Sequence, residues 1–223
     1  MSTPPAFFCG AVKTALEHID WPDRPETAWG TVGALRDRVL AGERPAVIIV
    51  SDAALEQLAQ RGLIRREAIL PMGRAGTGLA LRDGAPRRPI STPDELRAAL
   101  LACESIGWAD ASSGATAGKH FEGVIAQLGI ADALHAKAKL FKFGVEAVSA
   151  CGRGEVELAV SQVTEIVNRP GVSLLGELPA PHDLSTGYSA APLDDSAAAH
   201  AILAVLAAPA TRAALDAIGF TSA

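Results

Sequence analysis

Apolar positions along the chain alternate between two rhythms. "AFFCG" is a short unbroken apolar run, as expected of a strand buried on both faces. "AVKTALEHI" then carries Val12, Ala15, Leu16 and Ile19 at helical spacing. "GTVGALRDRVLAG" repeats that spacing, opened by glycine and closed by Gly42. "PAVIIVSD" is a second apolar strand, from which Ser51 or Asp52 caps the helix "AALEQLAQRG". Strand-like "AILPMG" and "TGLALRDG" follow. In "STPDELRAALLAC", Ser91 or Thr92 caps a helix with Pro93 in its first turn, and Asp94 and Glu95 sit near its positive end.

The second half continues in kind. "ESIGWAD" reads as a strand, "GATAGKHFEGVIAQLG" as a helix ending at Gly129, and "HAKAKLF" as a strand. "GVEAVSACGRG" is a helix stopped by glycines, "EVELAVS" an alternating strand, and "GVSLLGELP" another. The tail gives two alanine-rich helices broken at Pro209. Strands and helices alternating at this density predict an α/β fold with mostly parallel sheets, covered by helices on both faces.

Turns that open with small residues recur at "CGAVK", "GTVGA", "VSDAA" and "SSGATAG". In a parallel sheet such strand-to-helix turns share the carboxyl edge, where helix N–H groups and positive dipole ends converge. Small residues there let a ligand approach the backbone amides. They are also what tight turns and helix caps require in any protein, so each turn alone is open to both readings.

Charge narrows the partners. With 20 basic and 25 acidic residues the net charge is −5, and the longest basic clusters are the pairs Arg65–Arg66 and Arg87–Arg88. That is no footprint for nucleic acid, and no nucleic-acid partner is expected. Cys9, Cys103 and Cys151 form no CxxC, so neither a disulfide framework nor a thiolate metal site is indicated. No run approaches the roughly 18 apolar residues of a membrane span, and no membrane insertion is expected. The first residues lack a basic stretch ahead of an apolar one. As given, the chain reads as cytoplasmic; if it is a trimmed mature form, it reads as periplasmic.

The order of these motifs resembles the molybdate-binding proteins of ABC transporters and, more broadly, the type II periplasmic-binding-protein fold. The resemblance runs through "FFCGAVKTALEHI", "GTVGALRDRVLAGERPAVIIVSDAALEQLAQRGLI", "STPDELRAALLACESIGWADASSGATAGKHFEGVIAQLGI", "GVEAVSACGRGEVELAVSQVTEI" and "AAPATRAALDAIGF". The second segment is the most specific: a small-residue helix start, a Gly-Glu-Arg-Pro turn, a strand ending in Ser-Asp, and a helix closing in Gly-Leu-Ile. The resemblance implies two α/β lobes, residues 1–76 plus 188–223 and residues 77–187, joined by two crossing strands as a hinge, with a small anion in the cleft. The family holds its oxyanion with serine hydroxyls and backbone amides. Carried over by position, the contacts fall at Gly10 and Ala11, at Thr31 and Val32, in the 114–118 turn, at Val145 and at Ser161.

This chain departs from that pattern. Ala11 and Val32 stand where the family has serines, and Ser161 where it has a tyrosine. Fewer hydroxyl donors weaken a site for a tetrahedral oxyanion, at roughly 1–3 kcal/mol for each buried acceptor left unpaired. An organic carboxylate suits the apolar Ala11 and Val32 better.

Among the candidate ligand residues, Thr31, Ser51, Ser112, Ser113 and Thr116 can each donate to an anion or cap a helix, and both roles can hold together. Arg74 could clamp a carboxylate or stand solvated. Tyr188, the only tyrosine, could cover the ligand or pack at the hinge. Cys9, at the start of a helix, is a candidate nucleophile or a small buried hydrophobe. Lys119 and His120 lie about one turn into a helix, so one faces the ligand if the other packs outward. No HExxH, GxSxG, P-loop or GxGxxG occurs, so no metal and no cofactor are expected.

Two functions stand open. One is a substrate-binding protein for a small anion, partnered by an ABC permease if exported. The other is a cytosolic enzyme on the same fold, an isomerase or dehydratase acting by proton transfer on a small carboxylate through His120, Lys119 or Cys9.

Overall fold

A computed structural model describes residues 6–222. In chain order its elements are β1 (Ala6–Cys9), α1 (Lys13–His18), β2 (Thr27–Gly30), α2 (Val32–Leu40), β3 (Val47–Ser51), α3 (Asp52–Gln60), β4 (Leu70–Arg82), α4 (Pro93–Ala102) and β5 (Ile106–Ala109). Then come α5 (Thr116–Gln127), α6 (Ala131–His135), β6 (Ala138–Phe141), α7 (Gly144–Gly152), β7 (Leu158–Gln162) and α8 (Val163–Ile166). The chain ends with β8 (Val172–Glu177), β9 (Ser185–Pro192), α9 (Ala197–Leu206) and α10 (Pro209–Ala217). It divides into two compact units, Met1–Ala75 with Thr186–Ala223, and Gly76–Ser185.

In the first unit the strands run in the order β2-β1-β3-β9. β1 is parallel to β2 and β3, and β9 is antiparallel to β3. β1 and β3 are central and wholly buried, which is why both read as unbroken apolar runs. Phe7, Phe8, Ile48 and Ile49 from these strands pack with Leu35 of α2 and Leu55 and Leu58 of α3. Removing each such side chain from water is worth about 1.5–3 kcal/mol.

In the second unit the order is β8-β4-β7-β5-β6, with β5 parallel to β6 and β7 and β4 antiparallel to β7 and β8. Alternation along the strands serves two cores. Leu79, Leu81, Leu158 and Val160 meet Trp108, Phe121 and Leu100 on one face. Ala80 and Ala159 meet Val148, Cys151 and Val156 on the other. Helices therefore cover both faces of this sheet.

Several details differ from the sequence reading, which named no strand at β2. "AILPMG" and "TGLALRDG" are one 13-residue strand, β4, because its glycines mark close approaches rather than turns. At Gly78 a Cβ would stand 2.8 Å from the Gly176 carbonyl oxygen of β8. The helix expected from Gly114 starts at Thr116, after a 3₁₀ turn over Ala111–Ser113 and a left-handed Gly114 at φ 76°. The short helices α6 and α8 carry too few periodic positions to be seen in sequence. Of the paired cap candidates, Ser51 and Thr92 are the residues that cap. Among the described residues no single helix is long and apolar enough to cross a membrane.

Candidate functional site

Parallel pairing brings the carboxyl ends of β1, β2 and β3 to one edge of the first unit. Cys9 ends β1 at 1% exposure, followed by a 3₁₀ turn over Gly10–Val12 in which Gly10 is half-buried and Ala11 buried. So enclosed, the Cys9 thiol lies away from solvent, as a small buried hydrophobe does rather than a reactive nucleophile. Thr31 caps α2, its Oγ1 accepting from the Ala34 amide at 3.2 Å, and Val32 begins the helix half-buried. Ser51 caps α3, its Oγ accepting from the Ala54 amide at 3.4 Å. A hydroxyl that accepts in this way still has its O–H to donate, so at Ser51 capping and ligand contact are compatible.

Tyr188 is the register partner of Ser51 across β3 and β9. It is buried and stands edge-on to Phe220, with ring centroids 5.9 Å apart. Ser189 beside it donates to Asp52 at 2.6 Å. A Cβ on Gly187 would overlap the Asp52 carboxylate and lie 3.3 Å from the Arg74 guanidinium. The Arg74 backbone is itself paired with Thr221, donating at 3.0 Å and accepting at 2.9 Å. Arg74 is thus half-buried and built into this edge, not a solvated arginine.

The second unit gathers the ends of β5, β6 and β7 at a comparable edge. The Asp110 amide donates to the Phe141 carbonyl at 2.8 Å, tying β5 to β6. The Asp110 carboxylate accepts from the Ser112 amide at 2.8 Å, and that bond, aided by the Ser112 side chain, holds its pKa below the usual value. Ser112 is exposed and Ser113 half-buried within this turn.

Ala115 then occupies the N-cap of α5 in an extended conformation, with no side-chain oxygen to offer. The contrast with α2, α3, α4 and α9, capped by Thr31, Ser51, Thr92 and Ser196, is direct. Among the described residues no acceptor meets the N–H groups of Thr116, Ala117 and Gly118. The helix sits this close to β5 because residue 118 is glycine: a Cβ there would overlap the Ala109 carbonyl oxygen. One turn on, Lys119 is exposed, whereas His120 is half-buried with Nε2 2.7 Å from the His182 carbonyl oxygen.

At the third strand end, α7 starts at Gly144 after Phe143, with Val145 half-buried and the Glu146 carboxylate accepting from the Phe143 amide at 3.3 Å. Ser161 is buried and donates a short hydrogen bond to Glu165, one turn later. A Cβ at Gly144 would overlap the Ser161 hydroxyl, with the Glu165 carboxylate 2.5 Å away. Ser161 therefore faces Glu165 and the start of α7. Desolvation raises the Glu165 pKa above the ordinary carboxylate value, against the opposing pull of Ser161 and Arg169.

The sequence reading passed over Glu165 and His182. A serine and a glutamate four apart after a strand, as in "SQVTEI", were the available signal for the first; His182 in "APHDL" offered none. Among the described residues the Thr77 and Thr164 hydroxyls and His182 Nδ1 are buried without a hydrogen-bond partner, which is uncommon for buried polar groups. The Thr77 backbone accepts from Leu178 at 3.0 Å and donates to Leu184 at 3.1 Å, holding the loop that carries His182. Among the described residues no group of three His, Cys, Asp or Glu side chains could hold a metal ion.

Residues 25–221 match the family described as bacterial extracellular solute-binding protein. An aconitate isomerase from a Pseudomonas species is 28% identical over 181 residues, covering 79% of this chain and 67% of that protein. Among solved structures, the periplasmic molybdate-binding protein of Azotobacter vinelandii superposes with a TM-score of 0.77 at 17% identity, over 99% of each chain. The sulfate-binding protein of Mycobacterium tuberculosis gives a TM-score of 0.70 at 15% identity, over 99% of this chain and 86% of that one. The mixed α/β architecture is that of the type II periplasmic-binding-protein fold.

Proposed function

The chain belongs to the bacterial extracellular solute-binding proteins, and from that premise we propose that it binds a small organic anion, a carboxylate, on the helix starts that end its parallel strands. The observation that carries this reading is the start of α5. Among the described residues its first three amides have no acceptor, its N-cap is an alanine, and Gly118 draws the helix tight against β5. Unsatisfied N–H groups at the positive end of a helix dipole are suited to an anion. Thr116, Ser112 and Ser113 stand beside them as hydroxyl donors. The first unit, taken by itself, has helix starts of the same kind, where Ser51 keeps an O–H to donate and Ala11 and Val32 offer no hydroxyl.

Two of the structural neighbours are named for molybdate and sulfate, and the curated relative for an isomerase of a tricarboxylate. Ala11 and Val32 in place of hydroxyl donors favour the carboxylate. A thermal-shift panel of molybdate, sulfate, citrate and trans-aconitate tests this. A ligand at 100 times its Kd stabilises the fold by about 2.7 kcal/mol. Stabilisation by a tricarboxylate and not by the inorganic oxyanions is expected; the reverse order overturns the reading. The family description makes an extracellular location the fitting setting, and an ABC permease is the partner that goes with it in this reading. Deleting the gene then abolishes uptake of the bound anion, and unchanged uptake contradicts that setting.

A further inference from the structure

We infer that the second unit carries a binding site of its own, apart from the helix starts, for a zwitterion: a free α-amino acid with a short apolar side chain. The site is a cavity of about 370 Å³ at the edge where β4 ends and β5 and β7 begin. The five residues of β7, at about 3.3 Å each, set it roughly 16 Å of strand away from the carboxyl ends where the carboxylate is proposed to bind. The site is therefore independent of that reading.

Four charged side chains line this cavity, and they are held in different ways. Arg88 donates a short hydrogen bond to Glu157, whose other oxygen accepts from the Glu104 amide at 2.7 Å. The Glu157 amide donates in turn to the Ser105 hydroxyl at 3.0 Å. Desolvation pushes the Glu157 pKa up, but the Arg88 bond and the Glu104 amide outweigh it and leave the carboxyl below its usual value. Arg88 and Glu157 thus form a fixed, ionised, mutually neutral pair. Arg82 and Glu104 do not. Among the described residues neither the Arg82 guanidinium nor the Glu104 carboxylate takes part in a hydrogen bond or ion pair. The Arg82 guanidinium lies over Gly154, where a Cβ would stand 2.9 Å from Nη1 and where a φ of 75° favours glycine. Glu104 is near enough to Arg88 to add to the rise in its pKa that the Glu157 hydrogen bond chiefly causes.

The lining charges cancel, two guanidiniums against two carboxylates, and that balance selects the ligand. A simple anion drawn to Arg82 is repelled by Glu104, and a simple cation meets the same conflict with the signs exchanged. A molecule with a carboxylate and an ammonium on one carbon satisfies both. Its carboxylate takes the forked Arg82 guanidinium, and its ammonium donates to Glu104. The wall at Pro86, Ala102 and Val156 is apolar, and the cavity is at the small end of ligand sites, so the side chain it takes is short and aliphatic.

The test is calorimetric titration of the whole protein with L-valine, beside isovalerate and isobutylamine, which keep its side chain and only one of its two charges. Saturable binding of valine is expected, with each single-charge analogue weaker by about tenfold or more, the scale of one lost charge-assisted hydrogen bond. Arg82→Gln and Glu104→Gln alter exposed positions. Each should weaken valine by about tenfold or more while leaving the melting temperature unchanged. Absence of valine binding, isovalerate binding as tightly as valine, or full valine affinity in either variant overturns the inference. Valine binding that is lost in excess trans-aconitate also overturns it, because it places valine at the helix starts instead.

Discussion

At the scale of single residues, two side chains give sharp expectations. Glu165 is the clearest for pH. Burial raises its folded-state pKa, so the stabilisation it contributes is fully present below the unfolded carboxylate value and is lost as pH rises through the raised one. Thermal midpoints measured from pH 4 to pH 8 should fall more for wild type than for Glu165→Gln, which has no proton to lose; parallel curves would show that Glu165 is ionised without cost. Thr31 is the second case. Its hydroxyl caps α2, and Thr31→Ala should cost about 1 kcal/mol in chemical denaturation. A ligand-only role would leave stability untouched.

Residue-level chemistry was also where the sequence spoke least. Lys119 and His120 are adjacent, and successive helix positions are separated by about 100°. They therefore point in clearly different directions on the helix that starts at Thr116. Which of the two meets the protein interior depends on the loop carrying His182, some 60 residues away in sequence, and no local pattern encodes that. Glu165 escaped for a related reason: a glutamate in a four-residue helix reads as surface until the approach of Gly144 is known.

At the scale of elements the sequence was far more legible. β1 and β3 announce themselves because a strand buried on both faces has no polar position to interrupt it. The caps Ser51 and Thr92 sit where a polar residue precedes a periodic run. β4 was less legible, since Gly73, Gly76 and Gly78 look like punctuation. In the structure they admit Thr221, Glu177 and Gly176 against the strand. Gly118 makes the same point for α5 and gives an element-scale prediction. Gly118→Ala must push the helix away from Ala109, and overpacking of this kind costs about 1–3 kcal/mol. The melting temperature should drop and anion affinity with it. An unchanged midpoint would mean that the helix has room to give.

At the scale of the whole molecule, membership of the solute-binding family supplies the setting, and the proposed site takes its chemistry from the helix starts. Of the helix N-termini at these strand ends, those of α2 and α3 are closed by their own side chains, whereas those of α1 and α5 have no side-chain cap. The most direct test is Ala115→Asp, read by calorimetric titration with trans-aconitate and by thermal denaturation. Ala115 already has the extended backbone of an N-cap, so aspartate there should cap α5 and stabilise the fold by about 0.5–2 kcal/mol. The same carboxylate occupies the amides and repels an incoming anion. A higher melting temperature with at least tenfold weaker binding is the predicted result; aconitate affinity equal to wild type in a stabilised Ala115→Asp protein would contradict it.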